Sequence, residues 1–172
     1  MSDAGMLEEF LAGAGVDAAV FALRPDYRAL LVAVDGLVPG PGNQDSDALL
    51  AAAEAAAREA LRDRPAEQLP HVAAWREAYR AFGAKPQRTR NSLEALLRRV
   101  ASGLPRVNRL TDCYNAVSVL HQIPLGGEDL TRYAGPLPSA SLAAASAACS
   151  SASLSWSPGP GTSPSTATSK AR

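Results

Sequence analysis

The sequence predicts an α/β (α+β) domain, because two β-rich runs precede four helical patterns in a chain of 172 residues. The β-rich runs are Ala18 to Leu23 and Ala29 to Val34. Arg24-Pro25-Asp26 separates them, and a Pro/Asp pair is typical of a turn. A chain of this length allows one domain of ordinary size with a tail. We therefore expect a hairpin or two adjacent strands at the start of the fold.

Helical patterns fill the middle of the chain. An Ala-rich stretch with acidic residues ahead of basic ones favours the first helix, and Asn91 with Glu94 has the capping-box spacing that predicts the start of the third. The predicted helices run from Asp45 or Ser46 to about Leu61, through Trp75, Tyr79 and Phe82 up to Gly83, from Leu93 to Ser102, and from Leu110 to His121.

Charge is distributed unevenly, although the formal net charge is zero. Residues 1–67 carry 5 basic and 12 acidic groups, whereas residues 68–136 carry 10 and 5. Between Trp75 and Arg109 there are 9 basic and 2 acidic residues, a pattern that suits phosphate binding. A solvated basic surface is the alternative interpretation. The candidate RNA contacts are Arg76, Arg80, Lys85, Arg88, Arg90, Arg98 and Arg99.

Several classes of protein are not expected from this sequence. No apolar run approaches the length that a membrane helix needs, and the start MSDAGMLEEF is acidic where a secretory signal would be basic. We therefore expect a soluble, cytoplasmic protein without a membrane partner. Neither the two histidines nor Cys113 and Cys149 have a ligand spacing, so we expect no metal, no cofactor and no disulfide framework.

The composition changes abruptly near residue 137. Residues 137–172 are mostly Ser, Ala, Pro and Thr, and they contain no acidic residue. Such a segment cannot bury enough apolar surface to offset its ordering entropy. We therefore expect a domain over residues 1–136 and a disordered low-complexity tail over residues 137–172.

Four spaced motifs carry a family resemblance. They are W-R-E-A-Y-R-x-F-G at Trp75 to Gly83, N-S-L-E-A-L-L-R-R at Asn91 to Arg99, N-x-x-x-D-x-Y-N-A-V-S at Asn108 to Ser118, and P-L-G-G-E-D-L at Pro124 to Leu130. In this order they resemble free-standing relatives of the B3/B4 domain, the tRNA-editing domain of the phenylalanyl-tRNA synthetase (phenylalanine-tRNA ligase) beta subunit. The recognisable pattern stops at Gly135, so we expect this domain to be incomplete at its C-terminal end.

The resemblance implies a mixed sheet with helices packed around it, and it implies tRNA or aminoacyl-tRNA as partner rather than DNA. The synthetase domain hydrolyses tyrosine that is wrongly attached to the tRNA for phenylalanine. The resemblance also implies pocket candidates, although Tyr114 stands where the family has Thr and Gly126 stands where it has a pocket His. These candidates are Asn108, Asp112, Tyr114, Asn115, Pro124 and Gly126.

Each singled-out residue also has a structural interpretation. The aromatic stripe Trp75, Tyr79 and Phe82 is interpreted as core packing, with base stacking as the alternative. Asp112 and Asn115 can orient a water or a ribose hydroxyl, or they can hold neighbouring loop backbone. We interpret Cys113 as a small buried hydrophobe rather than a nucleophile. No residue is assigned as catalytic.

Three functions remain open from the sequence. The first is an aminoacyl-tRNA ester hydrolase that edits in trans, with a positioned water as nucleophile and the ribose hydroxyl of the substrate assisting. The second is a tRNA-binding module without catalysis, favoured by the basic stretch and by Gly126. The third is an inactive, truncated product.

Overall fold

The structure, a computed structural model, describes residues 3–127, 129 and 130, which fall into two compact units. The first unit is described over residues 3–38 with 129 and 130, and the second over Pro39–Gly127. The predicted tail at residues 137–172 lies outside the described residues. The described helices include none that is long and apolar enough to cross a membrane.

The prediction of an α/β fold with a mixed sheet is wrong for the part of the chain that the structure describes. This part is helical and forms no β-strand. In the first unit, helix α1 spans Asp3–Ala12 and helix α2 spans Ala18–Leu23. The expected first strand is therefore a helix. Asp17 caps it by accepting a hydrogen bond from the Ala19 N–H at 2.8 Å. Three alanines and a leucine in AAVFAL also favour the helix.

The expected second strand is not paired either. Residues 29–34 have no regular secondary structure, and their large apolar side chains are solvent-exposed, with Leu30 at 87% and Val32 at 71%. A β-rich sequence becomes a strand only when a neighbouring strand accepts and donates its backbone hydrogen bonds. Nothing within residues 3–127 supplies that neighbour. The turn between the runs is confirmed, because the Tyr27 N–H donates to the Arg24 carbonyl at 2.9 Å.

Four α-helices build the second unit. Asn43 caps the first of them, not Asp45 or Ser46, and the Ser46 hydroxyl accepts from the Asn43 N–H at 2.9 Å to complete a capping box. The third helix is shorter than predicted, and a 3-10 turn at residues 100–102 follows it. The helices are α3 at Gln44–Ala60, α4 at Pro70–Ala81, α5 at Ser92–Leu97 and α6 at Arg109–His121.

The core of this unit lies between α3 and α6, with α5 beside them. Ala53 and Ala57 on α3 and Ala116 on α6 are buried, and their small side chains let the two helix backbones approach closely. Leucine and valine side chains surround this contact. The buried members are Leu50, Leu69, Val72, Leu93, Leu96, Leu97, Val100, Leu104 and Val119.

The aromatic stripe on α4 contributes to packing, as its helical spacing predicted. Tyr79 is buried, whereas Trp75 and Phe82 are half-buried on either side of it. The ring centroids of Tyr79 and Phe82 lie 5.3 Å apart in an edge-to-face arrangement. Gly83 follows with φ of 83°, a left-handed conformation that suits glycine and ends the helix.

A buried carboxylate connects α3 to the segment that leads into α6. Glu54 is 8% exposed, and its Oε1 accepts from the Leu104 N–H at 2.8 Å and from Arg106 Nη1 at 2.6 Å. The Arg106 hydrogen bond and the Leu104 N–H hold the pKa of Glu54 below its usual value. Glu54 is therefore ionised at neutral pH, and its negative charge stabilises the loop against α3.

We expect Glu54→Gln to lower the free energy of unfolding by about 1–3 kcal/mol, because the amide removes the charge that both partners prefer. Since the folded-state pKa is depressed, this contribution is complete above the unfolded pKa of about 4.3 and is lost as the pH falls further. Urea unfolding at several pH values measures it, with Glu59→Gln, an exposed partner of Arg62, as control. A stability difference that grows on acidification would contradict this account.

Candidate nucleic-acid interface and α6 cleft

Three of the seven predicted RNA contacts converge on one buried carboxylate. Glu94, at 1% exposure, accepts from Arg76 Nη1 at 2.8 Å and from Arg98 Nε at 3.0 Å, and Arg90 Nε lies 3.7 Å away. Arg98 also donates to Glu67 at 3.0 Å. These three arginines are thus held by carboxylates of the protein. Their charges therefore balance the buried Glu94 carboxylate.

The local sequence explains why Glu94 lies there. Asn91 caps α5 by accepting from the Glu94 N–H at 2.7 Å, which fixes the first turn and places Glu94 on its buried side. The Glu94 carboxylate accepts hydrogen bonds from Arg76 and Arg98. Sequence spacing alone does not distinguish these partners, since Arg76 lies on another helix.

The other four predicted RNA contacts remain available. Arg80, Lys85, Arg88 and Arg99 are exposed, and none forms an ion pair with a carboxylate in the described residues. Lys85 and Arg88 extend from a turn in which the Arg88 and Thr89 N–H groups both donate to the Lys85 carbonyl at 2.9 Å. Pro86 is buried in that turn and anchors it. We name Arg80, Lys85, Arg88 and Arg99 the unpaired cations.

The pocket candidates on α6 hold backbone as well as presenting polar groups. Asn108 caps α6 by accepting from the Thr111 N–H at 2.9 Å. Asp112 is fully buried, and its Oδ1 accepts from the Val107 N–H at 2.8 Å. Both contacts agree with the structural interpretation of these residues. Asn115 is half-buried in the middle of the helix.

Tyr114 lies on a different side of α6 from Asp112, and Pro124 and Gly126 lie in the segment that follows this helix. Tyr114 is two residues further on, so it points about 200° away around an α-helix. A β-carbon added at Gly127 would lie 3.3 Å from Tyr114 Cε1, which places Tyr114 beside the segment that follows α6. In that segment Pro124 is half-buried and Gly126 is exposed. The structure therefore brings Tyr114 close to this segment and places Asp112 elsewhere.

Asp112 instead lines an open cleft of about 340 Å³ near the starts of α3 and α6. The sequence interpretation missed the other lining residues, which are Gly42, Asp47, Arg106 and Val107. The glycine-rich Pro39–Gly42 stretch was the available signal, because a glycine permits close approach. A β-carbon at Gly42 would lie 3.0 Å from Asp112 Oδ2.

Cys113 and His121 also lie on α6. Cys113 is a free, half-buried thiol on α6. His121 is exposed in the last turn of the same helix.

The comparisons with known proteins identify one family. Residues 74–148 match the model of the B3/4 domain family, so the predicted B3/B4 domain is confirmed over this range. The match includes most of α4, all of α5 and α6, the unpaired cations and Asp112. No curated protein and no solved structure gives a significant match.

We expect Glu94→Gln to lower the free energy of unfolding by about 3–5 kcal/mol, because it leaves the guanidinium groups of Arg76 and Arg98 without their buried counter-charge. Glu67→Gln is the matched control: it removes an exposed partner of Arg98 and should cost at most about 1 kcal/mol. Urea unfolding measures both variants. Equal losses in the two would show that burial of Glu94 does not set its importance.

Proposed function

We propose that this chain, whose residues 74–148 carry a B3/4 domain, is a tRNA-binding protein that contacts the phosphate backbone through its unpaired cations. The B3/4 domain is associated with the phenylalanyl-tRNA synthetase beta subunit and with tRNA binding. Family membership supports RNA as the class of partner. The exposure of the unpaired cations, together with their lack of a carboxylate partner in the described residues, is the observation that assigns the contact to particular residues.

The argument from charge rests on which cations are available. A cation that already pairs with a buried carboxylate gains little from a phosphate, because the existing pair must be weakened or the carboxylate must stay near the phosphate. Arg76, at 12% side-chain exposure, is in this position on Glu94. An exposed, unpaired cation instead releases a condensed counterion when it meets a phosphate. Arg80, Lys85, Arg88 and Arg99 are therefore the preferred contacts.

We expect the double variant Arg88→Ala/Arg99→Ala to bind tRNA more weakly and with a shallower salt dependence. Each lost phosphate contact lowers the slope of log K against log salt by about 1, so the pair should lower it by about 2. Fluorescence anisotropy with labelled tRNA over a range of salt concentrations measures the slope. The reduction should be alike for different tRNAs, because phosphate contacts carry no sequence information.

Arg62→Ala/Arg64→Ala is the matched control, because it removes the same charge from exposed positions at the end of α3, outside the basic stretch. This control should keep the wild-type slope. Equal slopes for all three proteins would remove Arg88 and Arg99 from the interface. Equal reductions in the two double variants would show a response to net charge rather than a binding face.

Editing of mischarged tRNA in trans is the second candidate function. The family match favours it, since it covers the N-x-x-x-D-x-Y-N segment on α6. In such a reaction water attacks the ester carbonyl, the ribose hydroxyl of the substrate assists proton transfer, and the amino acid leaves. The protein must then hold the ester carbonyl and the water together in near-attack geometry.

The described residues of α6 give that geometry little support. Asp112 and Tyr114 point in different directions around the helix, and Gly126 offers no side chain where the family pattern has His. We therefore expect the chain to deacylate mischarged tRNA slowly or not at all, even where it binds the tRNA. Release of labelled amino acid from mischarged tRNA at saturating protein measures the reaction. Robust turnover that Tyr114→Phe or Asn115→Ala abolishes would establish editing and overturn this expectation.

A further inference from the structure

We infer that the cleft lined by Gly42, Asp47, Arg106, Val107 and Asp112 binds a small organic cation through a protonated primary amine, which donates to Asp112 Oδ2 and pairs with Asp47. This site is independent of the proposed tRNA interface. The cleft shares no residue with the unpaired cations, and its ligand carries the opposite charge to a phosphate.

The first observation is an incomplete hydrogen-bond set on Asp112. The side chain is fully buried and its Oδ1 is used by the Val107 N–H, but no group in the described residues donates to Oδ2. A buried carboxylate oxygen without a donor costs free energy, and such oxygens in native proteins are normally satisfied. Because Asp112 lines the cleft, the cleft is the side from which a donor of a bound molecule would approach this oxygen.

The second observation is the charge of the cleft. Asp47, with a 60% exposed side chain, supplies a second carboxylate, and its Oδ1 lies 3.9 Å from Arg106 Nε. The Arg106 guanidinium is already engaged, because Nη1 donates to Glu54 Oε1 and to the Leu104 carbonyl, each at 2.6 Å. Glu54 pairs with Arg106 and also with Arg58, at 3.3 Å. Because two carboxylates and one engaged guanidinium line the cleft, its charge favours a cation over an anion.

The donor set favours an ammonium group over a metal ion. Ca²⁺ takes six to eight oxygen ligands and Mg²⁺ requires near-octahedral geometry. The described residues contain no group of three or more acidic, His or Cys side chains placed to hold a metal. An ammonium group needs only a few acceptors for its N–H groups, and it forms charge-assisted hydrogen bonds with carboxylates. A volume of about 340 Å³ also suits a small organic ligand.

Gly42 lies beside Asp112 Oδ2, which is buried. A β-carbon at this position would lie 3.0 Å from Oδ2 and 3.4 Å from the Ser46 hydroxyl oxygen. Any larger residue would therefore close the approach to this oxygen from the Gly42 side. Gly42 has no left-handed backbone conformation that would require glycine, so the close approach is the constraint that the structure shows here.

The test is a titration of the full chain with n-propylammonium chloride, followed by the backbone amide signals of Gly42 and Val107 in NMR spectra at constant ionic strength. We expect saturable shifts with millimolar affinity, and no such shifts with n-propanol, which has the same shape and no charge. The absence of saturable shifts with the ammonium, or equal shifts with the alcohol, would overturn the proposal.

Variants then locate the binding. Asp47→Asn should weaken binding about threefold, because the charge is exposed, while Asp45→Asn, which removes the same charge from an exposed position on α3 outside the cleft, should leave it unchanged. Equal weakening by both variants would show that the ammonium responds to the net charge of the protein, and it would overturn the site.

Asp112→Asn keeps an acceptor for the Val107 N–H and should weaken binding about tenfold. Gly42→Ala should block binding with no change in charge, which keeps the proposal testable if Asp112→Asn is unfolded.

Discussion

The second unit depends on one buried carboxylate, Glu54, which connects α3 to the chain that enters α6. Its two strong hydrogen bonds come from residues 50 and 52 positions away in sequence, at Leu104 and Arg106. These bonds hold the loop against α3 just ahead of Asn108, which caps α6. The ion pair therefore contributes to the position of α6 as well as to stability.

A second buried carboxylate, Glu94, changes how the basic stretch is interpreted. By sequence, all seven candidate cations between residues 76 and 99 are equivalent, because each is a charge in a basic stretch. In the structure Arg76, Arg90 and Arg98 surround Glu94, so they stabilise the protein from within. The unpaired cations are left to meet a partner. Arginines that pair with a buried carboxylate are thus less available to a phosphate than the unpaired cations are.

The helices were predicted more accurately than the strands, and the reason is local. Helix α6 begins within one residue of its predicted start, and the Trp75, Tyr79 and Phe82 spacing predicted helix α4, because caps and amphipathic spacing act within a few residues. Residues 29–34 have β-propensity and remain exposed without a strand, because a strand needs a partner that lies elsewhere in the chain. The sequence does not show whether that partner is present.

The approximate helix positions in the second unit, the basic character of residues 75–109 and the family resemblance could be read from residue type and short spacing. The packing of the helices places Asp112 and Tyr114 in different surroundings, joins Gly42 and Asp47 to Asp112 in one cleft, and pairs Glu94 with Arg76. These relations link positions many residues apart. They depend on how α3, α4 and α6 pack, because burial determines which charges must find partners inside the protein.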